Sequence, residues 1–179
     1  SGKPIRVTPK GQPGWHEYDF SPDAKWAFHT CSSFEKPPVT TLVRISDHKT
    51  LRVLENNAKL CEKMKSFGNI SSEFVKIKID GGIEMDSFIV KPDGFDPSKK
   101  YPVFIYVYGE PHGQTVFDRW STRHLFHRTI SEMGYLMVSI DNQGTPAPKG
   151  AAWRRSIFGS LGPLSTEQQA AGIKELGRM

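Results

Sequence analysis

Two short, almost unbroken apolar runs, Val103 to Tyr108 and Tyr135 to Ile140, constrain this 179-residue chain more than any other feature. Both fall far short of a membrane span. Runs of this length, rich in aromatic and β-branched residues, read as strands buried on both faces. Between them, residues 121–133 carry Leu125, Phe126, Thr129 and Ile130 at helical spacing and stop before Gly134. After the second run, Thr166 to Leu176 reads as a final helix with Ser165 as its cap. Buried strand, helix, buried strand, helix predicts a parallel, two-layered α/β sheet. Two parallel strands make an incomplete sheet, so the chain is expected to be a fragment of a larger α/β protein.

Upstream the pattern changes. Phe74 to Ile79 and Ile83 to Val90 alternate in polarity around Gly81-Gly82, which predicts a hairpin with one buried face. Residues 57–69 carry Leu60, Met64 and Phe67 at helical spacing and read as a linking helix that stops near Gly68. Before it come short aromatic or β-branched runs, Trp15–Phe20, Lys25–Thr30, Val39–Ile45 and Leu51–Leu54, separated by Ser21-Pro22-Asp23, Pro37-Pro38 and Ser46-Asp47-His48. The expected division is therefore 1–56, antiparallel strands; 57–72, a linker with a short helix; and 73–179, the α/β part. A net charge of +5 without a long like-charged run gives no reason to expect a nucleic-acid partner. Two cysteines, Cys31 and Cys61, exclude a disulfide scaffold and leave room for one bridge at most.

Few residues offer chemistry on their own. Phe158-Gly-Ser160-Leu-Gly162 lacks the first glycine of a nucleophile elbow and follows no strand, so Ser160 reads as a loop serine. His124 and His127 stand three apart on the predicted helix, yet no third ligand sits at a recognisable spacing, and they read as helix-surface or interface histidines. No metal and no cofactor are expected. Trp153-Arg154-Arg155 is one small basic, aromatic spot, too little for nucleic-acid recognition. The turn Tyr108-Gly109-Glu110-Pro111-His112-Gly113 is the richest stretch, because it ends a buried strand where α/β proteins place ligands. Tyr108 is either a phenol donor to an oxyanion or a sheet-edge aromatic with its hydroxyl in water. His112 is either a ligand contact or a solvated loop residue. Asp141-Asn-Gln-Gly144 is a second rim site or a strand-ending turn.

Residues 73–179 resemble the opening of the α/β-hydrolase domain of the prolyl oligopeptidase superfamily, in its dipeptidyl peptidase IV branch. The resemblance is carried by Phe95-Asp-Pro-Ser-Lys-Lys-Tyr-Pro102, Val107-Tyr-Gly-Glu-Pro111 with Gln114, and Gly134-Tyr through Ser139-Ile-Asp-Asn-Gln-Gly-Thr145. Phe158-Gly-Ser-Leu-Gly162 leading to Gln168-Gln-Ala-Ala-Gly172 fits as well. Upstream, Phe20-Ser-Pro-Asp-Ala-Lys25 is similar to a β-propeller blade turn, so residues 1–56 resemble the last blade that precedes such a hydrolase domain.

The resemblance implies a parent that is a serine-type dipeptidyl peptidase, releasing X-Pro or X-Ala dipeptides from peptide N-termini. It implies that Tyr108 donates to the oxyanion hole, while the Ser, Asp and His of the triad lie outside this chain, which should be inactive alone. It also implies a peptide substrate, a homodimer and a periplasmic or extracellular setting. Three positions depart from the family pattern. Glu110 replaces glycine beside the tyrosine, Gln143 replaces arginine, and Leu164-Ser-Thr-Glu-Gln168 replaces an acidic stretch. A carboxylate turned towards an oxyanion would repel it. These departures support the alternative of a non-catalytic binding or assembly protein on a divergent hydrolase scaffold.

Overall fold

The computed structural model describes residues 3–67 and 71–179. The chain divides into two compact units, Ser1–Ser66 with Phe117–Leu125, and Phe67–Val116 with Phe126–Met179. The first is an antiparallel meander of β1 (Trp15–Phe20), β2 (Trp26–Ser32), β3 (Val39–Arg44) and β4 (Lys49–Glu55), in that order across the sheet. The β1–β2 turn is closed by Ser21 N–H donating to Trp26 O at 2.9 Å, while Asp23 accepts from the Ser21 hydroxyl at 2.7 Å. Period-two alternation puts Ala27, His29 and Val43 on a covered face and leaves Trp26 and Phe28 exposed on the other. All of β4 is exposed, and it forms one edge of this sheet. Phe117–Leu125 completes the unit. Asp118 accepts from Phe34 N–H at 2.7 Å, Trp120 N–H donates to the Ser32 hydroxyl at 3.3 Å, and His124 stacks on Phe34 at 3.8 Å between centroids.

Helix α1 (Ala58–Met64) runs into a 3-10 turn, Lys65–Phe67. Its predicted stop at Gly68 lies outside the described residues. Cys31 and Cys61 are both free thiols, so the bridge left open by the sequence is not formed.

The second unit is a mixed sheet of β5 (Ser71–Ile79), β6 (Ile83–Lys91), β7 (Val103–Ile105) and β8 (Leu136–Asp141), in the order β5-β6-β8-β7. Its helices are α2 (Arg123–Glu132), whose first turn groups with the other unit, α3 (Gly150–Arg155) and α4 (Pro163–Leu176). The core gathers Ile77 and Met85 of the hairpin, Val138 and Ile140 of β8, and Ala147 and Trp153 from beyond it.

Five expectations change. The sheet is not parallel. Among the described residues only β7 and β8 pair that way, across the α2 crossover, whereas the hairpin forces β5–β6 antiparallel and β6 pairs antiparallel with β8. Strand β7 ends at Ile105 instead of Tyr108, although Tyr106 N–H still donates to Val138 O at 2.8 Å. In α2 the buried positions are His124, His127, Arg128 and Ser131, one step round from the apolar stripe, and Phe126 is 49% exposed. The two histidines are therefore interior residues, packing aromatic faces instead of meeting solvent. Finally, α4 begins at Pro163 with Gly162 before it, the favoured first-turn place for proline, and Ser165 lies inside the helix. The six-residue α3 falls in a stretch read as loop.

Candidate functional site

The second unit's loop after β7 turns sharply at Gly109, whose φ of 76° suits glycine, and presents Tyr108 half-exposed at 44%. The loop folds back under this ring. A Cβ at Gly113 would stand 2.8 Å from both Cδ1 and Cε1 of Tyr108, so the missing side chain is the space the ring occupies. Two buried anchors hold the loop against the end of β8. The Asp141 carboxylate accepts from Thr115 N–H and the Thr115 hydroxyl, both at 2.9 Å, and from Val116 N–H at 3.0 Å. Burial pushes this carboxyl above its usual range, opposed by those donors and helped by the Asp86 charge. Asn142 Nδ2 donates to Gly109 O at 2.9 Å, which fixes the residue beside the tyrosine.

The first turns of α4 lock both strand ends. Gln169 Nε2 donates to Ile140 O at 2.7 Å and to Asn142 Oδ1 at 2.9 Å. Gln168 and Gln143 bond reciprocally, Gln143 N–H to Gln168 Oε1 at 2.9 Å and Gln168 Nε2 to Gln143 Oε1 at 2.7 Å. The Ser165 hydroxyl lies 3.3 Å from Glu110 Oε1 and 2.9 Å from Gly162 O. Glu110 thus meets the first turn of a helix, where the backbone dipole favours an anion. Its other oxygen is buried and takes no hydrogen bond from the described residues.

The structure brings Glu110 and Gln143 against α4, with Tyr108 on the same loop as Glu110, and leaves the other candidates apart. His112 is exposed on the loop. Ser160 sits in the turn between α3 and α4, its N–H donating to Ile157 O at 2.9 Å. Arg154 and Arg155 are exposed, but Trp153 is a core residue with Lys149 Nζ 4.8 Å above its ring, so the basic, aromatic spot does not exist as a surface feature. His127 packs near Phe88 and Tyr106 in the second unit, whereas His124 serves the first. Asp141 and Asn142 are fully buried, which makes the predicted rim a clamp. Beside the loop opens a concavity of about 720 Å³, lined by Pro111, Ile157, Phe158 and Leu161 with the two arginines. Phe158 is 93% exposed there.

Sequence reasoning missed the α4 contribution. Ser165, Gln168, Gln169 and Gly172 are all buried at i, i+3, i+4 and i+7, a helical stripe written in polar and small residues.

The crystal structure of Porphyromonas gingivalis dipeptidyl peptidase 4 superposes on 92% of the chain with a TM-score of 0.85 and 34% identity. The chain is a dipeptidyl peptidase IV homologue. A putative dipeptidyl aminopeptidase IV from Bacteroides ovatus matches the same share with a TM-score of 0.76 and 29% identity. Among curated relatives, the probable dipeptidyl peptidase 4 of Aspergillus flavus is 31% identical over 144 residues, 76% of this chain. Dipeptidyl peptidase 4 of Trichophyton equinum is 31% identical over 164 residues, 89% of this chain. The homologue spans only 18% and 21% of those two relatives, and 23% of each structure. No family model matches it.

Proposed function

We propose that this chain is a segment of a serine-type dipeptidyl peptidase, the end of a β-propeller joined to the start of an α/β-hydrolase domain, within a parent that cleaves X-Pro or X-Ala dipeptides from peptide N-termini. The observation that carries the reading is the 34% identity to a dipeptidyl peptidase 4 at a TM-score of 0.85 across 92% of the chain. Tyr108 is the oxyanion-hole donor of that parent. Its half-exposed ring, seated on Gly113 and anchored through Asn142 and Asp141, supports that role, because a preorganised donor costs no reorganisation when charge develops. Glu110 is compatible with it, since its carboxylate is engaged by Ser165. The parent's peptide substrate, its homodimeric state and its setting outside the cytoplasm belong to the same proposal.

The test is Tyr108→Phe in the full-length protein that carries this segment, assayed on an X-Pro chromogenic dipeptide. A loss of about 10²–10³ in kcat with KM little changed is expected. An unchanged kcat would remove Tyr108 from catalysis, and a full-length protein without any peptidase activity would favour the non-catalytic scaffold. The 179-residue chain alone should not label with a fluorophosphonate probe, and stoichiometric labelling at Ser160 would overturn that expectation.

A further inference from the structure

The covered face of the β1–β4 sheet carries a group of side chains unrelated to the peptidase reading. His16 and Cys31 are directly opposed across β1 and β2, and Tyr18 and His29 form the next pair on the same face. His16, His29 and Cys31 each offer one ligand atom within 4.8 Å of the others, and no other such set of three exists among the described residues. We propose that His16, His29 and Cys31 form a binding site for a zinc-class divalent ion, with one coordination position left to water.

The geometry supports it in detail. His16 Nδ1 and His29 Nε2 face each other at 2.8 Å, sharing a proton. Two nitrogens bound to one tetrahedral zinc at about 2.0–2.1 Å stand roughly 3.3 Å apart, so the ion takes that proton's place when the rings separate by about half an ångström, and neutral His29 carries its proton on Nδ1 instead of Nε2. The other nitrogen of His16, Nε2, lies 3.1 Å from Gln12 O. An N–H there donates to a backbone carbonyl, the outer contact that fixes the tautomer of a metal-binding histidine and leaves Nδ1 free to bind. Cys31 Sγ is 3.7 Å from His16 Nε2 and within 4.8 Å of the ligand atoms that both histidines offer, so it shifts towards the Nδ1 side as the ion enters. On binding, its thiol proton leaves to solvent and the thiolate completes two imidazole nitrogens and one sulfur, a set that suits zinc over magnesium or calcium. His16 and Cys31 are half-buried and His29 is buried, so the site is sheltered yet open on one side. The second half of the face frames it. His48 packs edge-on against His29 at 4.8 Å, and its Nε2 is 2.8 Å from the Tyr18 hydroxyl.

The experiment is calorimetric titration of the reduced 179-residue chain with Zn²⁺, paired with Co²⁺ absorption. A stoichiometry of one is expected, with a thiolate-to-cobalt charge-transfer band. Cys31→Ser should abolish the band, and His29→Ala and His16→Ala should each weaken binding by more than about 100-fold, beyond what loss of an outer contact causes. Cys61→Ser, in a protein of unchanged circular dichroism, should leave affinity and band intact. Absence of stoichiometric binding at micromolar metal would overturn the proposal, as would binding that follows Cys61 or survives Cys31→Ser. Should His29→Ala unfold the chain, the cysteine pair alone still decides the matter.

Discussion

A methyl group at position 113 would land 2.8 Å from two carbons of the Tyr108 ring, well inside van der Waals contact. The ring is half-exposed and can yield, so Gly113→Ala should cost little stability while moving the phenol. A displacement near 1 Å at a catalytic group costs on the order of 10²-fold in rate. In the full-length protein, Gly113→Ala should therefore lower kcat by roughly that factor with the melting temperature nearly unchanged. A normal kcat would show that Tyr108 need not sit where the loop holds it. Gln143 illustrates the opposite kind of residue. Its side-chain oxygen accepts from Gln168 Nε2 and its backbone N–H donates to Gln168 Oε1, so the residue that departs from arginine ties the end of β8 to α4.

Turns decide how the elements meet, and the β3–β4 turn offers a measurable case. Arg44 Nε and Nη2 reach the two oxygens of Asp47 at 2.9 and 2.5 Å, and Lys49 N–H adds a bond at 3.2 Å. The Arg44 hydrogen bond leads in holding this carboxyl down at about 2. A lowered carboxylate value favours the folded state above the ordinary range and loses that contribution as pH falls towards 2. Carboxyl chemical shifts should report Asp47 titrating near 2, and Arg44→Met should raise it towards the ordinary carboxylate range. A value unmoved by Arg44→Met would assign the shift to the turn backbone. At this scale much of the fold was legible. The meander, the β5–β6 hairpin and β8 all follow from period-two patterning and turn residues. What the sequence obscured about the helices' buried faces is their polarity. The buried face of α2 is polar, through His127, Arg128 and Ser131, so its apolar stripe turns that helix the wrong way, and α4 buries Gln168 and Gln169, which no apolar stripe marks. Tyr108 was visible from its place after a buried strand, whereas its anchors, Asp141 and Asn142, depend on contacts more than twenty residues distant.

For the molecule as a whole, β4 is the conspicuous liability. It is an edge strand exposed along its length, with Leu51, Val53 and Leu54 in solvent, and Phe28 of the same unit is also exposed. Unpaired strand edges of this kind template association between copies. The 179-residue chain should elute above monomer mass in size-exclusion chromatography with light scattering, and Val53→Lys should shift it towards monomer. A wild-type monomer at tens of micromolar would remove this expectation. No helix among the described residues is long and apolar enough to cross a membrane.

The return of Phe117–Leu125 to the first unit also has a bearing on synthesis. Phe34 and Asp118 are 84 residues apart. Closing a loop of that size costs on the order of 4 kcal/mol in chain entropy. At ribosomal speeds of about 5–20 residues per second, the Phe34 amide waits roughly 4–17 s for its acceptor to be made. The meander is thus translated first and finished late, with the whole β5–β6 hairpin and β7 emerging in the interval.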